Sequence, residues 1–163
     1  MIHVNVRGLL VRRCEGEIQL IVQLRKRAGE PEVYELPGGR INEYEKITDC
    51  LKREVMEETG LKVVAIQKGE NYIAVTDNES KSEFSVECIK PFAAYQTLKG
   101  PIDSFGIYFI CEAEGTLLHE GDATEDIHWA SIEEIHKIID EHRFSAIDLP
   151  AVLMFLEIKT YDL

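Results

Sequence analysis

Three things are scarce in this sequence: long apolar runs, paired cysteines and positive charge. No apolar run nears the ~20 residues that a membrane-spanning helix needs, which excludes helical membrane spans. The opening Met1-Ile2-His3-Val4-Asn5 lacks the basic-then-apolar layout of a secretory leader, so a cytoplasmic location is expected. The four cysteines, Cys14, Cys50, Cys88 and Cys111, form no C-x-x-C pair, which argues against zinc. Each lies in or beside an apolar stretch, and all four are expected to be small buried hydrophobes in a reducing compartment. The five histidines show no ligand spacing. Against 30 Asp and Glu stand 18 Lys and Arg, for a net charge of −12. That balance excludes the broad basic patches that hold nucleic acid or acidic membrane surfaces. An acidic chain that handles phosphates needs divalent cations to offset the repulsion.

What is present suits one domain over residues 1–163. Ile2, Val4 and Val6 alternate and run on into Leu9-Leu10-Val11. After a turn at Glu15-Gly16, Ile18, Leu20, Val22 and Leu24 alternate again, as strands do. Pro37-Gly38-Gly39 is expected to break regular structure. A helix is predicted from about Ile47 to Glu58, with Gly60 where a C-terminal cap belongs. Three β-rich stretches follow: Val63 to Thr76, Phe84 to Tyr95 interrupted by Pro91, and Phe105 to Cys111. A short strand surrounds Trp129. Ser131 with Glu134 resembles a capping box that opens a helix carrying Ile132, Ile135, Ile138 and Ile139. A last helix, about Asp148 to Ile158, carries Leu149, Val152, Leu153 and Leu156 at helical spacing. Its Leu149, Leu153 and Leu156 are expected to pack inward, with a homodimer through that face as the alternative. Strands first, one helix inserted early and two at the end point to a mixed α/β (α+β) sandwich.

The early helix carries the chemistry. At about 100° per residue, Ile47, Leu51 and Val55 form an apolar stripe. Glutamates on a solvated face belong opposite that stripe. Glu58 instead projects between Ile47 and Leu51, and Glu54 lies on the stripe's edge. With Glu57, they form a carboxylate trio at i, i+3 and i+4, expected to converge beside the buried face. Like charges this close repel, and partial burial makes that worse. A divalent cation would relieve them, because hard cations prefer carboxylate oxygens. Arg53 stands i, i+4 to Glu57 and neutralises a neighbour.

The flanks extend the pattern. From Gly39 to Leu61 run Gly39, Glu45, Arg53, Glu54, Val55, Glu57, Glu58, Gly60 and Leu61 at the spacing G-x5-E-x7-R-E-U-x-E-E-x-G-U, with U aliphatic. This resembles a Nudix box at all of its specified positions. With each residue type at a background of ~5–10%, a chance match is rarer than about one in a million, so the signal is specific. Leu36-Pro37-Gly38-Gly39, the arginines Arg25 and Arg27 on the preceding strand, and Trp129 resemble the family more loosely. Tyr44 stands where a glycine is common, and Cys50-Leu51 where two alanines are common. Those departures bear on packing rather than on charge.

The resemblance implies an α/β/α sandwich with a mixed sheet. It also implies hydrolysis of a nucleoside diphosphate linked to another group, by attack of water on phosphorus with Mg²⁺ or Mn²⁺. Carried over by position, Glu54, Glu57 and Glu58 are metal ligands and catalytic residues. Arg53 orients a carboxylate, and Glu45 and Gly60 are structural. Arg25, Arg27, Gly38, Gly39 and Arg40 flank the box and are candidates to hold substrate phosphate. The general base is a box glutamate or an acid of the loop His119–Asp126, expected to be mobile, with Glu125 first and Glu120 and Asp122 next. The partner is a small nucleotide-type substrate, with neither nucleic acid nor membrane. Two other readings stay open: a nucleotide-sensing module that does not cut, and an isoprenoid diphosphate isomerase, whose proton donor would have to be Cys88. The window Thr76-Asp77-Asn78-Glu79, where some subfamilies carry a proline or tyrosine, has neither. ADP-ribose, a nucleoside triphosphate and a sugar nucleotide all remain as substrates.

Overall fold

The computed structural model describes residues 1–66, 72–76, 83–121 and 123–158. Strands β1 (His3–Cys14) and β2 (Glu17–Arg25) form an antiparallel hairpin, Val11 opposite Leu20, closed by the tight turn at Glu15-Gly16. β3 (Val33–Glu35) pairs with β2, and β4 (Gly38–Arg40) with β1. Helix α1 (Ile47–Thr59) follows, then β5 (Leu61–Ile66), β6 (Tyr72–Thr76), β7 (Ser85–Ile89), β8 (Ala93–Gln96), β9 (Ser104–Gly115) and β10 (Thr124–Ser131), with α2 (Ile132–Asp140) and α3 (Leu149–Leu156) last. The main sheet runs β10-β2-β1-β9-β5, with β3, β4 and β8 paired on to it, while β6 and β7 form a separate ribbon. It is mixed: β1 and β9 lie parallel, Arg7 opposite Tyr108, and the other pairings are antiparallel.

Strand alternation splits the core into two layers. Leu9, Val11, Leu20, Val22 and Leu24 pack with Ile135, Ile138, Val152 and Phe155 of α2 and α3. Val6, Leu10, Ile21, Phe109 and Cys111 pack with Cys50, Leu51 and Val55 of α1. In this α/β/α sandwich the box helix is, among the described residues, the one helix on its face of the sheet.

Several sequence expectations need correction. Regular structure breaks at Leu36-Pro37 as expected, but Gly38 and Gly39 already begin β4. A Cβ at Gly38 would run into the backbone of Val6 and Arg7, so only glycine lets β4 lie this close to β1. The Val63–Thr76 stretch is two strands in two different sheets. Cys50 and Cys111 are buried as expected, but Cys14 and Cys88 are exposed. In α3 Leu149 and Leu156 pack against the core as expected, beside the buried Ala151, Val152 and Phe155, but Leu153 faces out with Met154. Two apolar faces on one short helix make its wheel ambiguous. Ser131 caps α2 as predicted, accepting from Glu134 N at 3.1 Å.

Candidate active site

Helix α1 starts with no side-chain cap of its own at Lys46. The cap comes from β7, where the Glu87 carboxylate accepts from Ile47 N at 2.6 Å and from Thr48 Oγ1 at 2.7 Å. At the other end Gly60 takes φ 77°, and its N–H returns to the carbonyl of Met56. Cys50, Leu51, Val55 and Thr59 are buried. Arg53 is the hub of the exposed side. It meets Glu45 in a bidentate pair, Nε to Oε1 at 2.7 Å and Nη2 to Oε2 at 2.9 Å. Its Nη1 reaches Glu54 Oε1 at 2.6 Å and Glu57 Oε2 at 3.3 Å, and Nη2 reaches the Arg40 carbonyl at 3.2 Å. The guanidinium holds the Glu45 carboxyl down at about 2, and the surrounding acids raise Arg53 in turn.

Two of the three box glutamates lie against the strand that precedes the helix. Glu58 Oε2 accepts from Gly38 N at 2.8 Å and from Gln23 Nε2 at 2.9 Å. Burial pushes its carboxyl up to about 7 against the pull of those two bonds. A Cβ on Gly39 would overlap the Glu54 carboxylate, so Glu54 occupies the space that this glycine leaves open. Glu57 differs from the expected convergence. Its side chain is 57% exposed and turns to solvent beside Arg53. The trio thus splits into Glu58, held at the sheet, and the pair Glu54 and Glu57, bridged by Arg53.

The donor set is hard oxygen, the chemistry that Mg²⁺ and Mn²⁺ take. Among the described residues no three acidic, histidine or cysteine side chains form a ready-made cage. Mg²⁺ does not require one, since it usually keeps several waters and takes one or two carboxylates plus phosphate. The residues present fit such an ion.

The flanking candidates are dispersed. Arg25, at the end of β2, is engaged with Glu30 at 3.6 Å and Glu35 at 3.5 Å. Arg27 lies beyond β2 rather than on it and is exposed, as is Arg40 at the end of β4. Glu125 belongs to β10, not to a loop. Lys26 Nζ holds it at 3.0 Å, beside an open pocket of about 230 Å³ lined also by Glu120, Gly121 and Thr124. A bulge interrupts the β2–β10 pairing just after Glu125. Gly121 packs against the carbonyl of Glu58, which sets this segment at the C-terminal end of α1. Asp122, the third candidate base, and Asp77, Asn78 and Glu79 lie outside the described residues.

Sequence reasoning missed a buried polar network beneath the site. Asp148 is fully buried. Its Oδ1 accepts from Tyr108 Oη at 2.8 Å and lies 3.4 Å from Arg7 Nε, while Oδ2 accepts from Leu36 N at 2.9 Å. Arg7 Nη1 donates to the Leu36 carbonyl at 2.9 Å. Burial opposes the charge on Arg7, but Asp148, Glu35 and Glu58 outweigh it and hold the guanidinium charged. The signal was available: Arg7, Gln23, Glu35 and Asp148 each interrupt an apolar run.

Comparison with known proteins settles what this arrangement belongs to. The sequence profile of the NUDIX domain matches residues 1–149. The chain is a member of the Nudix family. A Nudix relative in sequence is the 8-oxo-dGTP diphosphatase of Buchnera aphidicola, 43% identical over 44 residues. That match covers 27% of this chain and 34% of the relative, about a third of its length. Among solved structures, the E. coli ORF135 protein superposes with a TM-score of 0.66 at 17% identity, over 98% of this chain and 91% of that one. A protein from Jonesia denitrificans, described as a possible asymmetric diadenosine tetraphosphate hydrolase, reaches 0.69 at 17% identity, over 96% and 93%. The NUDIX domain of Shewanella oneidensis NrtR, solved with ADP-ribose, reaches 0.65 at 16% identity, over 98% and 90%. At these identities the structural likeness speaks for the Nudix fold alone. No helix among the described residues is long and apolar enough to cross a membrane.

Proposed function

We propose that residues 1–163 act as one Nudix hydrolase domain that cleaves a phosphoanhydride bond in a nucleoside diphosphate derivative, with Mg²⁺ or Mn²⁺. The observation that carries this reading is the packing of Glu54 and Glu58 on the backbone of Gly39 and Gly38. It gathers two of the three box carboxylates against a strand whose glycines leave room for little else. Bound there, a divalent cation would neutralise charge on the diphosphate and lower the pKa of a water. Glu54, Glu57 and Glu58 would hold it. Arg53, locked by Glu45, keeps Glu54 and Glu57 in place. Arg40 and Arg27, both exposed, would be the first to take phosphate oxygens, and Arg25 would have to leave Glu30 and Glu35 to join them. Glu125 offers a carboxylate outside the cation set. If it takes the water's proton, its pair with Lys26 must open first.

The test is a phosphate-release screen of ADP-ribose, a diadenosine polyphosphate, 8-oxo-dGTP and a sugar nucleotide, each with Mg²⁺ and Mn²⁺. Turnover of at least one is expected, and Glu57→Gln should cost several orders of magnitude in rate with the fold intact. Tight nucleotide binding with no hydrolysis of any compound would overturn the enzyme reading. Normal turnover by Glu57→Gln would overturn the role of the box.

A further inference from the structure

We propose that Gln23 is a positioning residue that serves two sides of the site: it orients Glu58 through its amide nitrogen and presents its amide oxygen to a hydrated divalent cation held by the box. This rests on the metal reading above. Gln23 lies on β2 with its side chain on the α1 face, like Ile21 two residues before. It is fully buried. Nε2 donates to Glu58 Oε2 at 2.9 Å. Oε1, on the same planar amide, is buried and has no hydrogen-bond partner among the described residues. The carboxylate dictates this orientation, because a flipped amide would set oxygen against oxygen.

A buried acceptor with nothing to accept from is unfavourable, and few native proteins keep one without a reason. Val22 and Leu24 on either side are apolar, and an apolar residue at 23 would fill the slot without that penalty. Among the described residues the neighbours do not supply a donor. Glu35, directly across from Gln23 in the β2–β3 pairing, is an acid, and Glu58 is another. Arg7 is turned to Asp148 and Leu36, and Arg25 to Glu30 and Glu35. A carboxamide oxygen among carboxylates, at a site of hard-oxygen chemistry, matches a hydrated cation, whose waters are strong donors. Partners that orient metal ligands commonly alter metal affinity 10- to 100-fold when removed.

The experiment compares Mn²⁺ binding by calorimetry, and thermal stability without metal, in the full chain and in Gln23→Met, which keeps length but removes donor and acceptor. The expected result is about 10- to 100-fold weaker Mn²⁺ binding with metal-free Tm equal to or above that of the native chain. A purely structural role would instead lower the metal-free Tm and leave affinity unchanged, and that outcome overturns the proposal. Should Gln23→Met fail to fold, Gln23→Glu decides. It keeps an acceptor where Oε1 stands, so Mn²⁺ should raise its Tm more than it raises that of the native chain, and an equal or smaller rise overturns the proposal. A native chain that takes up no Mn²⁺ at all would instead sink the metal reading on which it rests.

Discussion

Tyr44 gives a prediction that needs no substrate and no metal. It sits in the loop of the box at φ 56° with 98% of its surface exposed. Left-handed backbone costs a non-glycine residue about 1–2 kcal/mol. Glycine removes that strain but loses about 0.5–1 kcal/mol more conformational entropy on folding. The exposed ring makes almost no packing contribution to offset. Tyr44→Gly should therefore stabilise the chain by about 0.5–1 kcal/mol. For a chain of this length the entropy of unfolding near Tm is roughly 0.34 kcal/mol/K, so Tm should rise by about 1.5–3 °C. Tyr44→Ala is the control, since it removes the ring but keeps the strain, and it should gain nothing. Thermal unfolding followed by circular dichroism, with urea titration at fixed temperature, measures both. If glycine is no more stable than alanine, the strain argument fails.

Four further outcomes follow from the same geometry. Gly39→Ala forces the Glu54 carboxylate aside and should lower Mn²⁺ affinity and phosphate release while secondary structure is retained, as calorimetry and circular dichroism would report. Asp148→Asn leaves the Arg7 charge buried against a neutral partner and should destabilise the chain by about 3 kcal/mol, read as a lower urea midpoint. The Glu45 carboxyl is depressed to about 2 from 4.5, so its contribution is present above 4.5 and lost as pH falls toward 2; Glu45→Gln should flatten that acid limb of a urea-stability profile. Glu58 has the opposite sign. Its carboxyl is raised to about 7, so without divalent metal its contribution is fully present below 4.5 and lost as pH rises through 7, and Glu58→Gln should remove that decline.

Much of the site was legible because its residues break a pattern. A helix with glutamates beside its apolar stripe, spaced to a specific motif, announced both the element and its chemistry. Helix α1 and its Gly60 cap fell where the wheel and the glycine put them. Periodicity says which face a side chain leaves from, not where a long one ends. Glu57 therefore turned out to solvent, and Glu125 lay on a strand beside Lys26. Short strands such as β3 and β4 carry too few residues for alternation to register, and β4 is held by glycine's lack of a side chain rather than by any apolar signal. The polar side chains Arg7, Gln23, Glu35 and Asp148 are spread along most of the chain. Each member alone is an ordinary polar residue in an apolar run, and only the folded sheet brings them together.

Glu87 caps α1 from a ribbon 40 residues further along the chain. An isolated peptide spanning the motif, from Gly38 to Leu61, would therefore begin its helix uncapped. At 13 residues, that helix falls in the range where isolated helices are marginal in water. The motif is thus a recognisable signature but not an autonomous module. Grafted into another scaffold, its carboxylates would need a borrowed acid at the helix start and a glycine strand beneath them before they could stand in register.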